Sequence, residues 1–203
     1  MLIKFMQFPE TFRGISVRRH HLGGRTMNKR ISDKIAEEIA KWCQKYAFVK
    51  DKVIDGITYM KFNSDIYSGL NPSAQITKDC QEFICNKYNT ASNTIVVPEE
   101  PVKTPVGEPN LKFDFYIPQE RTAIELCCSV LENELEKDIL KAIIDERVIR
   151  LIIVATNKVY RGNKYSAERT WNQPARQAML RTLKGYKVET NLIWFDENGI
   201  YWV

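Results

Sequence analysis

The sequence predicts an α/β fold in which a mixed central β-sheet is flanked by helices. Three features predict it: helical and strand-like periods alternate along the chain, a hairpin pattern occupies 111–128, and the run at 150–156 is almost wholly apolar. Such a run is typical of a central strand covered on both faces, and helices then pack on either side of the sheet.

The length and composition favour one domain. The chain has 203 residues, of which 44% are hydrophobic, and this is enough for one sizeable core. Residues 1–29 mix basic and aromatic residues without a period, so we expect a flexible N-terminal arm followed by a single domain at 30–203. Whether the residues before Met27 belong to the native protein stays open.

Membrane spans and secretion are not expected from this sequence. No stretch approaches the roughly 18 uninterrupted apolar residues of a membrane helix, and the N-terminus lacks the apolar region of a signal peptide. The five cysteines form an odd set without CxxC spacing, which argues against a disulfide framework and a zinc cluster. We therefore expect a soluble cytoplasmic protein with reduced thiols and no membrane partner.

Two amphipathic helices are predicted in the first half of the domain, at 31–46 and 73–88, with a short strand at 57–62 between them. Their apolar residues recur every three or four positions, and Pro72 stands near the start of the second helix. Glu38 borders the apolar stripe of the first helix, whereas Glu37 points away from it. Of these two acids, only Glu38 is expected to reach inward toward a site.

A β-hairpin is predicted at 111–128, after a proline-rich connection at 98–110. On the return strand, Glu125 shares a face with Ala123 and Cys127. Asp114 and Glu125 therefore lie on neighbouring strands, and both project from one face if the register aligns them. The first strand alternates between an apolar face of Leu111, Phe113, Phe115 and Ile117 and a polar face of Lys112, Asp114 and Tyr116.

The second half of the domain continues with a helix at 131–144 and the apolar strand at 150–156. A basic loop leads to a helix near 171–184, which Gly185 ends. A buried strand at 191–195 and a terminal segment at 200–203 follow.

The chemistry of the hairpin points to a divalent cation. Two neighbouring carboxylates repel each other unless a positive charge lies between them, and Mg²⁺ prefers such oxygen ligands. The bound ion can position a phosphodiester and lower the pKa of a bound water. The window 147–187 contains ten basic residues and one acidic residue, a balance that attracts polyanions. Together these features favour phosphodiester hydrolysis.

The string FDFYIPQERTAIELCCS at 113–129, followed by a charged helix and RLIIVAT, resembles the PD-(D/E)XK nuclease core. The later stretch is similar in layout to type II restriction endonucleases that recognise GATC-centred sites. This resemblance covers about residues 30–196 and implies a restriction-endonuclease-like core, Mg²⁺ or Mn²⁺ as cofactor and double-stranded DNA as substrate. It implies that Asp114, Glu125 and the Leu126 carbonyl hold the metal, with Glu38 adding a carboxylate. A homodimer is expected, because a two-fold pair naturally cuts both strands of a symmetric site.

The sequence departs from this family at the third motif position, where Cys127 replaces the usual lysine. A neutral thiol neither orients water nor stabilises negative charge well. Some family members carry Gln or Glu there and remain active. Lys112, two residues before Asp114, is the expected substitute cation, whereas Lys137 and Lys141 on the following helix are less well aimed.

The basic window supplies the candidates for phosphate or base contacts. Arginine is the side chain best shaped to read guanine in the major groove. Three alternatives stay open: carboxylates that are merely solvated on an edge hairpin, a catalytically inactive nuclease fold that binds nucleic acid, and an interaction protein with an acidic partner. The candidate contacts are Lys158, Arg161, Asn163, Lys164, Arg169 and Arg176.

Overall fold

The computed structural model of this chain describes residues 29–107, 110–128, 131–160 and 163–203. The α-helices are α1 (Ile31–Trp42), α2 (Pro72–Tyr88), α3 (Leu131–Ile144), α4 (Ala167–Trp171) and α5 (Pro174–Gly185). The strands are β1 (Phe48–Ile54), β2 (Ile57–Phe62), β3 (Val97–Pro101), β4 (Lys112–Ile117), β5 (Thr122–Cys127), β6 (Arg150–Thr156), β7 (Lys158–Tyr160), β8 (Asn163–Tyr165), β9 (Glu189–Phe195) and β10 (Ile200–Trp202). The predicted arm at 1–29 lies outside the described residues, apart from Lys29.

The main sheet is mixed and has the strand order β10-β9-β6-β5-β4-β3. Its centre is parallel, since β5 pairs with β6 and β6 pairs with β9 in the same direction. The remaining neighbours in this sheet are antiparallel. The predicted α/β class, the mixed sheet and the central strand are thus confirmed.

Helices cover both faces of the main sheet, and each face has its own core cluster. Ile124, Ile152 and Val154 belong to the first cluster, which α1 and α2 cover. Ala123 and Leu151 belong to the second cluster, which α3, α4 and α5 cover. Neighbouring residues of the central strands thus alternate between two buried faces, which explains why the sequence at 150–156 is apolar throughout.

A second sheet, which we call the accessory sheet, has the order β1-β2-β7-β8. Only one of its strands, at 57–62, is predicted from sequence. Most of β1 is exposed on both faces, so its sequence shows no apolar alternation. Asn157 alone separates β6 from β7, and its backbone carbonyl accepts a hydrogen bond from Met60 N at 2.8 Å. The accessory sheet is therefore attached directly to the carboxyl end of the central strand.

The start of α1 is fixed by the turn between β4 and β5. Both carboxylate oxygens of Glu120 accept backbone N–H groups, from Ile31 at 2.7 Å and from Ser32 at 3.0 Å. These donors have no partner inside the helix, so an acid at this end satisfies them and complements the helix dipole.

The predicted helix near 171–184 begins three residues later in the structure, as α5, and the short helix α4 precedes it. Pro174 begins α5, which separates it from the short α4. Proline is tolerated in the first turn of a helix but interrupts a helix interior, so Pro174 explains why a new helix begins at this position. Within the described ranges, no helix is long and apolar enough to cross a bilayer.

Candidate metal and active site

A polar cavity of about 370 Å³ lies where β4 and β5 separate. The two strands form its floor, and the first turns of α2 and one side of α3 form its walls. Ser73 and Thr77 line it from α2, and so does Asn71, the residue that caps this helix. Asp114 and Glu125 line it from the strands, so the structure brings together the two acids that the sequence singles out.

The backbone pairing of β4 with β5 covers Phe115 to Ile117 and does not extend back to Asp114. Phe115 faces Ile124 in the last paired position. Next to this pair, the Asp114 side chain replaces the backbone as hydrogen-bond partner: its Oδ2 accepts a hydrogen bond from the Leu126 N–H at 2.8 Å. Glu125, the residue after Ile124, lies close enough to Asp114 for the charge of that side chain to add to the raised pKa of Glu125.

The predicted faces of β4 are wrong at one point. Phe115 lies in the first core cluster, whereas Phe113 lies in the second, its ring centroid 6.3 Å from that of Tyr116. Strict alternation would place Phe113 and Phe115 on one face. The strand turns over at Asp114, where the ladder to β5 stops and the opposite residue, Glu99, has a left-handed φ of 52°.

Lys141 supplies the cation next to these acids. Its side chain is buried, its ammonium pairs with Glu125, and it lies 2.8 Å from Asp138 Oδ1. It also donates to the Lys112 carbonyl at 3.0 Å. Burial lowers the Lys141 pKa, but Glu125 and Asp138 outweigh this and raise it above its ordinary value. The prediction that Lys141 is less well aimed than Lys112 is therefore wrong.

Lys112, the expected substitute cation, pairs elsewhere. Its ammonium lies 3.1 Å from Glu99 Oε2, and about half of its side chain is exposed at the rim of the cavity. Lys112 precedes the point where β4 turns over, so its side chain does not follow the face of Asp114. The ammonium nearest the acids instead comes from α3, which packs across this side of the sheet.

The buried charges of the cavity do not balance. Asp114, Glu125 and Asp138 all have raised pKa values, and burial is the largest cause in each. For Glu125 the neighbouring Asp114 and Asp138 add to the effect, and the Asp138 pKa is raised to about 6. Glu125 and Asp138 both pair with the buried ammonium of Lys141, and the half-buried Asp114 adds a third carboxyl group to the same cavity. Protons or a bound cation must compensate the excess negative charge.

The oxygen atoms available as metal ligands in this cavity suit a hard divalent cation. Asp114 and Glu125 offer carboxylate oxygens, and the Leu126 carbonyl, which accepts the Cys128 N–H at 3.0 Å, has a second lone pair. Mg²⁺ commonly takes one or two carboxylates and fills its other positions with water and phosphate oxygens. Among the residues that the structure describes, no group of three or more His, Cys, Asp or Glu side chains is arranged to hold a metal. A metal here would therefore depend on two carboxylates, the Leu126 carbonyl and non-protein oxygens.

Cys127 lies at the edge of the cavity as a buried thiol. Burial, followed by nearby acids, raises its pKa well above the usual range. The thiol is therefore neutral and can act neither as a nucleophile nor as the motif cation.

Glu38 lies away from the cavity, and the prediction that it reaches inward is wrong. It pairs with Lys87 at 2.6 Å, at the last turn of α2, and with Lys41 at 3.1 Å. Glu37 is the buried acid of the pair, and it accepts the Trp202 indole N–H at 2.8 Å. The stripe of α1 defines the face toward the sheet, but β10, which supplies Trp202, covers a neighbouring side that sequence periodicity does not reveal.

The nucleic-acid candidates are spread over several elements. Asn163 and Lys164 are exposed on β8, with Lys164 3.7 Å from Asp55, and Arg169 is exposed on α4. Arg176 on α5 is half-buried and lies 3.1 Å from Glu136. Arg161 lies outside the described residues.

Lys158 is a correction to this set, because it is only 5% exposed. Its ammonium donates to the Cys128 carbonyl and lies 3.6 Å from the centroid of the Phe62 ring. A lysine enclosed in this way is not a surface phosphate contact.

Two site residues on α3 were missed by the sequence reasoning and a third was undervalued: Glu134 and Asp138 line the cavity together with Lys141. Their spacing of four and three positions places them on one side of a helix. That pattern was visible in the sequence, beside the apolar stripe of Leu135, Ile139 and Ala142. It was not decisive, because it does not reveal which element this side of α3 meets.

Comparisons of the chain with protein-family models, curated proteins and solved structures found no match. The resemblance of 113–129 to the PD-(D/E)XK core therefore stays a prediction from the sequence. The candidate site stands on the contacts within the cavity.

Proposed function

We propose that this chain is a metal-dependent nuclease with a restriction-endonuclease-like core, which hydrolyses phosphodiester bonds in double-stranded DNA. The observation that carries the proposal is that Asp114, Glu125 and Asp138 outnumber the one buried ammonium, that of Lys141, among the residues that line an open polar cavity. Asp114 and Glu125, with the Leu126 carbonyl, would hold Mg²⁺ or Mn²⁺. The metal would supply a bound water of lowered pKa and neutralise charge on the reacting phosphate.

The protein holds the two metal-binding acids in place before substrate arrives. The Leu126 N–H fixes Asp114, and the Lys141 ammonium fixes Glu125. Because both side chains are already partnered and Glu125 is buried, little reorganisation is needed when the site is filled. Pre-oriented groups of this kind contribute most when they act in a water-poor environment.

Lys141 takes the role that the family assigns to the motif lysine. Its raised pKa keeps it protonated at neutral pH, and burial strengthens its field because the local dielectric is low. It can stabilise negative charge that develops on the phosphate oxygens. The neutral thiol of Cys127 cannot do this. Because Lys141 provides an ammonium group instead, the site keeps a lysine cation despite the change at the third motif position.

The remaining parts of the proposal concern the substrate and the assembly. Asn163, Lys164 and Arg169 are exposed and follow the central strand in sequence, so they are the proposed DNA contacts. A homodimer is proposed because two active sites related by two-fold symmetry can cut both strands of a duplex.

The test is plasmid nicking with Mg²⁺ or Mn²⁺, comparing the wild type with Asp114→Asn and Glu125→Gln. Glu99→Gln is the matched control, since Glu99 lies opposite Asp114 on β3 but does not line the cavity. We expect at least a hundredfold loss of nicking in the first two variants and nearly wild-type nicking in the third. Metal-dependent nicking that Asp114→Asn retains, or a wild type without nicking, contradicts the proposal.

A nucleic-acid-binding protein without catalysis is the second candidate. It is favoured by the ion pair of Lys141 with Glu125, which already neutralises part of the charge that a metal would compensate. In this case the wild type retards DNA in Ca²⁺, with affinity that falls steeply as salt increases, but does not nick it in Mg²⁺. Absence of DNA binding at low salt would instead favour an interaction protein with an acidic partner.

A further inference from the structure

Lys158 is a buried lysine that the proposed chemistry does not use. Its side chain passes from β7 of the accessory sheet toward the end of β5, and only 5% of the residue is exposed. Among the residues that the structure describes, no carboxylate lies within ion-pair distance of its ammonium. The ammonium is held by the Cys128 carbonyl and by the faces of two rings, with centroids 3.6 Å away for Phe62 and 5.3 Å away for Phe48.

A buried ammonium without a carboxylate partner is costly, and a lysine stem is long enough to reach solvent in most surroundings. Aromatic faces and a carbonyl offset this cost only in part. An apolar side chain of the same length would fill the space between Phe62 and Phe48 at no electrostatic cost. What only the ammonium adds is a strong hydrogen bond to one backbone carbonyl.

That carbonyl is joined to the candidate metal site by two further hydrogen bonds. Lys158 donates to the Cys128 carbonyl, and the Cys128 N–H donates to the Leu126 carbonyl at 3.0 Å. The Leu126 N–H in turn donates to Asp114 Oδ2 at 2.8 Å. These three hydrogen bonds, with the backbone of Cys128 and Leu126 between them, therefore connect the accessory sheet to the carboxylate and the carbonyl that would bind the metal.

We infer that Lys158 is a positioning residue: by fixing the backbone turn at Leu126–Cys128, it sets the orientation of the Leu126 carbonyl and of Asp114. This inference rests on the proposed nuclease function. It also gives the accessory sheet a role, because Phe62 on β2 and Lys158 on β7 are brought together only when that sheet is formed. Lys158 does not touch the substrate.

The test compares Lys158→Met with Lys164→Met in the full chain. Methionine keeps the length of the side chain and removes the donor, and Lys164 is an exposed lysine of the adjacent strand β8. We expect Lys158→Met to lower the kcat of plasmid nicking at least tenfold, with KM and DNA affinity in Ca²⁺ within about twofold of wild type. Its Tm should not fall, because a buried charge is replaced by an apolar group. Lys164→Met should instead weaken DNA binding and reduce the salt dependence of that binding.

Amide hydrogen exchange provides a readout that does not depend on nuclease activity. Exchange at Leu126 and Cys128 should be at least tenfold faster in Lys158→Met than in Lys164→Met. If the wild type does not nick DNA, the proposed function fails while this exchange result still decides the positioning role. Wild-type exchange at Leu126 in Lys158→Met overturns the inference, as does a loss confined to DNA affinity or to Tm.

A second variant covers the case in which Lys158→Met does not fold. Lys158→Gln keeps a neutral N–H donor on a shorter stem, which cannot span the same distance to the Cys128 carbonyl. It should show the same faster exchange at Leu126 and the same selective loss of kcat. Wild-type values for both measurements overturn the inference.

Discussion

Replacing Lys141 by methionine should destabilise the protein in a strongly pH-dependent way. The substitution leaves the buried Glu125 and Asp138 without their ammonium partner, next to the half-buried Asp114. Removing one member of a buried ion-pair network costs about 3–5 kcal/mol. For a domain of roughly 200 residues, each kcal/mol lowers Tm by about 2–4 °C, so a Tm decrease of about 6–20 °C is expected at pH 8.

The sign of the pH dependence follows from the raised pKa values of these acids. A carboxyl group whose pKa is raised in the folded state stabilises the fold at low pH and loses that contribution as pH rises through the folded pKa. The Asp138 pKa is already about 6 with Lys141 present, and it must rise further without it. The stability deficit of Lys141→Met should therefore be small at pH 5 and large at pH 8.

Thermal unfolding of the metal-free protein at pH 5 and pH 8 measures this effect. Lys137→Met is the matched control, because Lys137 is an exposed lysine on the same helix that also lines the cavity. Adding Glu125→Gln to Lys141→Met should restore part of the lost Tm at pH 8, since it removes one of the buried carboxylates that have lost their ammonium partner. Equal Tm values for Lys141→Met and Lys137→Met at both pH values would refute the reasoning, as would a larger deficit at pH 5.

Two further predictions concern wild-type stability and the start of α1. The Tm of the metal-free wild type should fall as pH rises from 5 to 7.5, because Asp138 ionises with a pKa of about 6. Mg²⁺ should therefore raise Tm more at pH 8 than at pH 6. A Mg²⁺ effect that does not depend on pH would contradict this. Glu120→Ala should lower stability by about 1–2 kcal/mol, because the N–H groups of Ile31 and Ser32 lose their acceptor, while the kcat of nicking per folded molecule stays unchanged. Urea unfolding measures the stability change, and a midpoint equal to that of wild type would contradict it.

Much of the main sheet was predictable because its elements carry their own periods. The hairpin of β4 and β5, the strands β6 and β9 and the helices that cover them all follow apolar patterns that are local in sequence. The accessory sheet was predicted only in part, because β1 is exposed along most of its length and β7 and β8 have three residues each. A strand that buries neither face leaves no period to detect.

The candidate site divides in the same way. Asp114 and Glu125 could be identified because they are acids at matching positions of one hairpin. Lys141 was undervalued and Lys112 was overvalued, because the side chain nearest to Glu125 depends on how α3 crosses the sheet and on the turnover of β4 at Asp114. The number of basic residues in the window 147–187 likewise could not reveal that the Lys158 side chain is enclosed between Phe62 and Phe48.

The sequence by itself determined the α/β class, the central strand and the presence of two acids on neighbouring strands. Only the tertiary structure decided which ammonium group meets those acids, which glutamate of α1 is buried and which lysine of the basic window is withdrawn from the surface. The reason is physical: a residue period defines the faces of one element, whereas the group across from a face is set by packing between elements far apart in the chain.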